Sequence, residues 1–147
     1  MSSSSTVAAL KKVLADSYAL YIKTQNYHWN VMGPNFASLH ALFETQYRDL
    51  AEAIDGIAER IRALGEKAPG ALSAYAELTN IQDGNHDASA DQMVKDLYQD
   101  QERIAQSLKL ALKAAQEVGD EVTIGMIIER MTIHEKNAWM LRASVAN

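Results

Sequence analysis

Cysteine is absent from all 147 residues, which excludes a disulfide framework, a thiol nucleophile, an iron–sulfur cluster and Cys-ligated zinc. Metals would find only imidazole, carboxylate and other oxygen ligands. Positive charge is also short: 14 Lys and Arg stand against 19 Asp and Glu, a net charge of −5. No global positive field therefore attracts nucleic acid or an anionic lipid surface. No stretch approaches the ~20 continuous apolar residues of a membrane span. The serine tract Met1 to Thr6 lacks the charged and apolar regions of a secretory signal. The expectation is a soluble, cytoplasmic protein with no membrane partner.

Proline and glycine are scarce as well, with 2 and 7 copies, so long stretches run without a breaker. Within them the apolar spacing is helical and no β alternation stands out. Leu10, Val13, Leu14, Tyr18, Tyr21 and Ile22 recur at three- and four-residue steps, with Thr6 as the expected N-cap and residues 1–6 as an uncharged tail. Gly33-Pro34 ends that run. A second begins near Asn35, carries Leu39, Phe43, Tyr47, Leu50, Ile54 and Ile61, and stops at Gly65. Ala68 to Ala88 turns to Gly, Pro, Asn and Asp, too long for a tight hairpin, with a short helix expected over Leu72 to Leu78. Ser89 offers an N-cap to a third run ended by Gly119, and Asp120 opens a fourth. Four long helices with one long central connection are the layout of an all-α, ferritin-like four-helix bundle with a crossover, in a single domain spanning 1–147.

Several motifs fail on inspection. Asp83, Asn85 and Asp87 imitate the start of an EF-hand loop, but Ala88 and Val94 occupy its glycine and bidentate-glutamate positions. His134-Glu135 opens like a zincin motif, yet Ala138 replaces the second histidine. The residues three before the histidines are Gln25, Ala37, Asp83 and Met131, so the Glu-x-x-His pairs of an intrabundle di-iron site are missing. His86 and His134 are expected to be structural or solvated.

What remains is His28 with a polar stripe on the second helix. At ~100° per residue, His40, Glu44, Asp55 and Glu59 fall near 0°, 40°, 60° and 100°, on one face. Singly, each is an ordinary surface or hydrogen-bonded group. Yet His40 and Asp55 lie roughly 22 Å apart along the axis, too far to share an ion within one chain. If two copies pack their second helices antiparallel about a two-fold axis, the histidine end of one meets the Asp55/Glu59 end of the other, in two equivalent sites. That nitrogen and carboxylate shell suits Fe²⁺, with zinc as a competitor.

The stretch His28-Trp29-Asn30-Val31 with Gly33-Pro34, then Leu39-His40, Phe43-Glu44 and Asp55-x-x-x-Glu59-Arg60, resembles the signature of the Dps proteins, or mini-ferritins. The similarity continues through Gly119-Asp120 and His134-Glu135-Lys136-x-x-Trp139-Met140-Leu141 and spans essentially the whole chain. The resemblance implies a hollow dodecamer built from dimers, with ferroxidase sites at dimer interfaces. His28 and His40 would come from one subunit, Asp55 and Glu59 from its partner, and Glu44 would serve as a further ligand or support. It implies Fe²⁺ oxidation, preferably by hydrogen peroxide with dioxygen as the other oxidant, and storage of ferric mineral. Trp29 matches a nearby electron donor, and Asp120 and Glu121 match an acidic iron-entry pore. Gly125 stands where several relatives carry another pore acid, leaving Glu129 as the substitute.

The family name also suggests a different class of function, a nucleoid-associated protein that binds and compacts DNA. The sequence argues against it. Met1 to Leu10 carries no charged side chain, Lys11 and Lys12 are expected on the helix, and twelve copies would sum to about −60. Iron oxidation and storage is the favoured expectation.

Overall fold

The computed structural model describes residues 3–145, all-helical with connecting turns and no strand among them. The helices are α1 (Ser4–Asn30), α2 (Phe36–Ala63), α3 (Leu72–Leu78), α4 (Ala90–Glu117) and α5 (Glu121–Ala143). α1 packs along α2 and α4, α5 packs along α4, and the short α3 of the crossover lies against α1. No helix of the described residues is long and apolar enough to cross a membrane.

The helix ends show why local chemistry predicts them well. Ser89 and Gln92 form a capping box: the Ser89 hydroxyl accepts from the Gln92 backbone N–H, and the Gln92 side chain accepts from that of Ser89. The Asp120 carboxylate accepts from the Thr123 backbone N–H at the start of α5. Gly119 between α4 and α5 sits at φ 68°, a conformation that favours glycine. The start of α1 differs from expectation. Ser3 occupies the N-cap position, without a side-chain cap bond, and Thr6 is buried inside the helix. Ser4 to Thr6 are therefore helical rather than tail, while Met1 and Ser2 lie outside the described residues.

Two apolar clusters fill the bundle. One gathers Leu20, Tyr27, Phe43, Leu50, Leu97, Ile104 and Leu141. The other gathers Leu10, Leu14, Ile57, Ile61, Leu108 and Ile127. Burying a side chain of this kind contributes about 1.5–3 kcal/mol, which sets the bundle's register without caps or propensity having to supply it. The crossover is tied down by polar groups. Buried Asp16 of α1 accepts from the Thr79 hydroxyl (2.6 Å), the Asn80 N–H (2.9 Å) and the Ser107 hydroxyl (2.5 Å), joining α1, the crossover and α4. Tyr75 of α3 stacks on Tyr18 of α1 with ring centroids 4.6 Å apart.

Candidate metal centre

The turn from α1 to α2 brings two histidines together. Val31 ends α1 in an extended conformation, and Gly33, at φ 119°, allows the chain to reverse before Phe36. His28, in the last turn of α1, then stacks on His40, in the second turn of α2, with centroids 3.7 Å apart and planes within 14°. Each Nδ1 lies 2.7 Å from the other residue's backbone carbonyl oxygen. A carbonyl oxygen only accepts, so each Nδ1 carries a proton, and in the neutral ring the lone pair is the one on Nε2. Phe36 covers His40 from outside at 5.0 Å, and Tyr47 meets His28 edge-on at 5.2 Å. Both rings are thus held in place before any ion arrives.

One turn beyond His40, Glu44 adds a carboxylate, its Oε1 3.9 Å from His28 Nε2. Ligand atoms of His28, His40 and Glu44 lie within 4.8 Å of one another, the one group of this kind among the described residues. Glu44 Oε2 accepts from Arg48 Nε at 2.7 Å, and that hydrogen bond holds the Glu44 carboxyl below the usual carboxylate range. Two neutral imidazoles and a carboxylate suit a borderline divalent ion such as Fe²⁺ or Zn²⁺. Three donors from one chain also leave part of any coordination shell open.

Asp55 and Glu59 stand exposed further along α2 and join no metal-competent group with the histidines within the chain. Trp29 is 63% exposed beside His28. Asp120 is occupied at home: besides capping α5 it accepts from Arg60 Nη2 at 3.0 Å, while Arg60 Nε donates to the Thr123 hydroxyl at 2.8 Å. Burial pushes the Asp120 carboxyl up, but the hydrogen bonds from Thr123 and Arg60 outweigh it and hold the group low. Glu121 and Glu129 are exposed on α5. His86 is exposed beside Asp87, whereas His134 is buried. Its Nδ1 donates to Gln101 Oε1 at 2.7 Å and its Nε2 faces Arg130 Nη2 at 3.0 Å. Burial and the Arg130 charge push the His134 imidazole down to about 3, so it is a neutral structural group. The sequence pattern marks Tyr47 only as an apolar position of the second helix and does not single out Arg48. The contacts of Tyr47 with His28 and of Arg48 beside it depend on the turn that sets the two helices against each other.

The ferritin-like domain model matches residues 7–147. A curated relative from Bacillus anthracis, DNA protection during starvation protein 2, is 39% identical over 137 residues, covering 93% of this chain and 94% of its own. The crystal structure of Dps from Staphylococcus aureus superposes with a TM-score of 0.95 at 34% identity, covering 99% of this chain and 98% of that one. This chain belongs to the Dps family of ferritin-like proteins. The Dps protein from Vibrio cholerae O1, described as a member of a broad superfamily of ferritin-like diiron-carboxylate proteins, matches with a TM-score of 0.92 at 32% identity, covering 96% of this chain and 89% of that one. The one metal-competent group among the described residues lies at the α1–α2 turn, and the Glu-x-x-His pairs of an intrabundle site are missing from the sequence.

Proposed function

We propose that this Dps-family protein is a cytoplasmic ferroxidase and iron store whose metal sites are shared between two subunits. The carrying observation is a half-site, His28, His40 and Glu44, of which His40 and Glu44 share one face of α2 with Asp55 and Glu59. Asp55 and Glu59 lie roughly 22 and 28 Å from His40 along α2, and antiparallel pairing of α2 with a second copy supplies them. Each dimer then holds two equivalent sites, and six dimers close the hollow dodecamer in which mineral collects.

Fe²⁺ is the substrate. Two Fe²⁺ ions give up one electron each, hydrogen peroxide accepts the pair, its O–O bond breaks, and two protons complete two waters. Ferric iron then hydrolyses and is deposited. The chain's part is to hold the ions on preoriented nitrogen and carboxylate donors and to consume peroxide without releasing radicals. Dioxygen is the slower alternative oxidant and zinc the competitor for the ligands. Trp29, exposed beside His28, is assigned as a local electron donor. Glu121 and Glu129, with Asp120 at the cap of α5, are assigned to iron entry, the two exposed glutamates carrying more of that role because Asp120 already serves Arg60.

DNA compaction is not favoured as an intrinsic activity. α1 starts at Ser4, so Lys11 and Lys12 lie on a helix, and Lys11 pairs with Glu66 at 3.4 Å. Nucleoid association would need bridging cations against a net charge of −5 per chain. The deciding experiment is anaerobic Fe²⁺ loading followed by peroxide, with ferric absorbance and peroxide consumption recorded for wild type and His40→Ala/Asp55→Ala, assembly being checked by light scattering. Fast oxidation and soluble mineral in wild type alone support the sites. Equal rates in both intact assemblies overturn them.

A further inference from the structure

We propose that Arg48 sets how tightly the half-site holds a divalent ion, by pinning Glu44 as a single-oxygen ligand and cancelling its charge. The proposal rests on the assignment of His28, His40 and Glu44 as metal ligands. Arg48 Nε donates to Glu44 Oε2 at 2.7 Å, leaving Oε1 as the oxygen that faces His28 Nε2, 3.9 Å away. The guanidinium is held from a second side as well, 5.5 Å from the centroid of the Tyr47 ring, which itself packs edge-on against His28. On α2 it lies at ~80° from His40, on the same stripe as Glu44 and Asp55. It is the one cation on α2 between those two carboxylates.

The charge arithmetic follows from these contacts. Two imidazoles bind as neutral ligands, Glu44 brings −1 and Arg48 brings +1, so the half-site carries no net charge. A dication entering it is repelled by a guanidinium one carboxylate away, and it competes with that guanidinium for Glu44. The attraction must come from Asp55 and Glu59 of a second copy. Arg48 thereby weakens occupancy: an unfinished half-site retains a divalent ion poorly, and a finished one exchanges it more readily than it would without the guanidinium. A glutamate with both oxygens free would favour tight, static binding.

The test is isothermal titration of the assembled protein with zinc, which binds the same donors without redox chemistry. Wild type, Arg48→Gln, Arg48→Lys and His40→Ala are compared after light scattering has shown equal assembly. Arg48→Gln should bind zinc about tenfold more tightly, about 1.4 kcal/mol, and Arg48→Lys, which keeps the charge, should stay within about twofold of wild type. Equal or weaker binding in Arg48→Gln, with wild-type binding still sensitive to His40→Ala, overturns the role of Arg48 and leaves the site standing. Equal tightening in both Arg48 variants overturns charge as the cause. Zinc binding indifferent to His40→Ala overturns the site and the inference together.

Discussion

His28 and His40 each donate an Nδ1 proton to the other's backbone carbonyl, both at 2.7 Å, across twelve residues of sequence. This exchange settles the tautomer of both rings and locks the α1–α2 turn with the same two bonds. Each residue's backbone carbonyl thus orients the other's imidazole, the role a carbonyl or carboxylate plays in many metal sites, and the two rings meet by stacking. Replacing either ring with alanine removes one ligand and the face on which the other stacks, while the backbone carbonyl that accepts from the remaining Nδ1 stays. His28→Ala and His40→Ala should each weaken Fe²⁺ or Zn²⁺ binding by about 10–100-fold or more, and the double variant should lose little beyond that. Titration of all three variants checks it: independent, additive losses would show that the two rings do not support one another.

The proposed sharing of the site between copies has a signature that single variants lack. His40→Ala damages the histidine half and Asp55→Ala the carboxylate half, so a dimer of one variant chain with the other contains one fully damaged site and one intact site. Random co-assembly of two inactive proteins should therefore restore about a quarter of the wild-type initial rate of Fe²⁺ oxidation. Mixtures no faster than their components would place all the ligands within one chain.

Much of this architecture was legible because its signals are local. Ser89 with Gln92, Asp120 before α5 and the Gly33-Pro34 break each specify a helix end within a few residues, and α3 lies over Leu72–Leu78 as the spacing predicts. The start of α1 was misplaced because several small hydroxyl residues precede the apolar run, and Ser3 takes the N-cap position without a side-chain bond to mark it. The distance between His40 and Asp55 could be obtained by counting helical steps, so the incomplete half-site could be foreseen. The stacking of His28 on His40 could not, since it depends on the path of the turn through Gly33. In sequence Arg48 is an ordinary residue four beyond a glutamate, and only the nearby imidazole gives that pair its meaning.

Tyr27 joins the end of α1 to the crossover. Its hydroxyl donates to Asp96 at 2.6 Å and accepts from the Asn85 backbone N–H at 3.1 Å, and a Cβ added at Gly84 would meet its ring at 2.9 Å. Burial, with the hydrogen bond to Asp96, raises the phenol far above its normal range, so it remains a donor at every working pH. Tyr27→Phe should cost about 1–3 kcal/mol, since it leaves the Asn85 N–H without its acceptor. Gly84→Ala should be destabilising as well, because the Tyr27 side chain is fully buried and has little room to retreat. Denaturant midpoints read the loss, and limited proteolysis should cut first within residues 79–88. Wild-type midpoints in both variants would show that the crossover is held from elsewhere.

His134 gives the bundle an acid-sensitive point. Its imidazole is pushed from 6.5 down to about 3 by burial and by Arg130, so at pH values between these the unfolded chain takes up a proton that the folded chain refuses. Stability is then fully present above about pH 6.5 and falls as the pH drops towards 3, by at most about 1.4 kcal/mol per pH unit for this one group. Carboxylates add their own slopes at lower pH, so the informative window is about pH 6.5 to 5, where few of them titrate. His134→Gln keeps an amide oxygen to accept from Arg130 and removes the titrating ring. The variant should be less stable at neutral pH, through the lost fit against Gln101, yet its urea midpoint should change less with pH across that window than the wild type's. Parallel slopes in the two proteins would assign the acid sensitivity to other groups and leave His134 as packing alone.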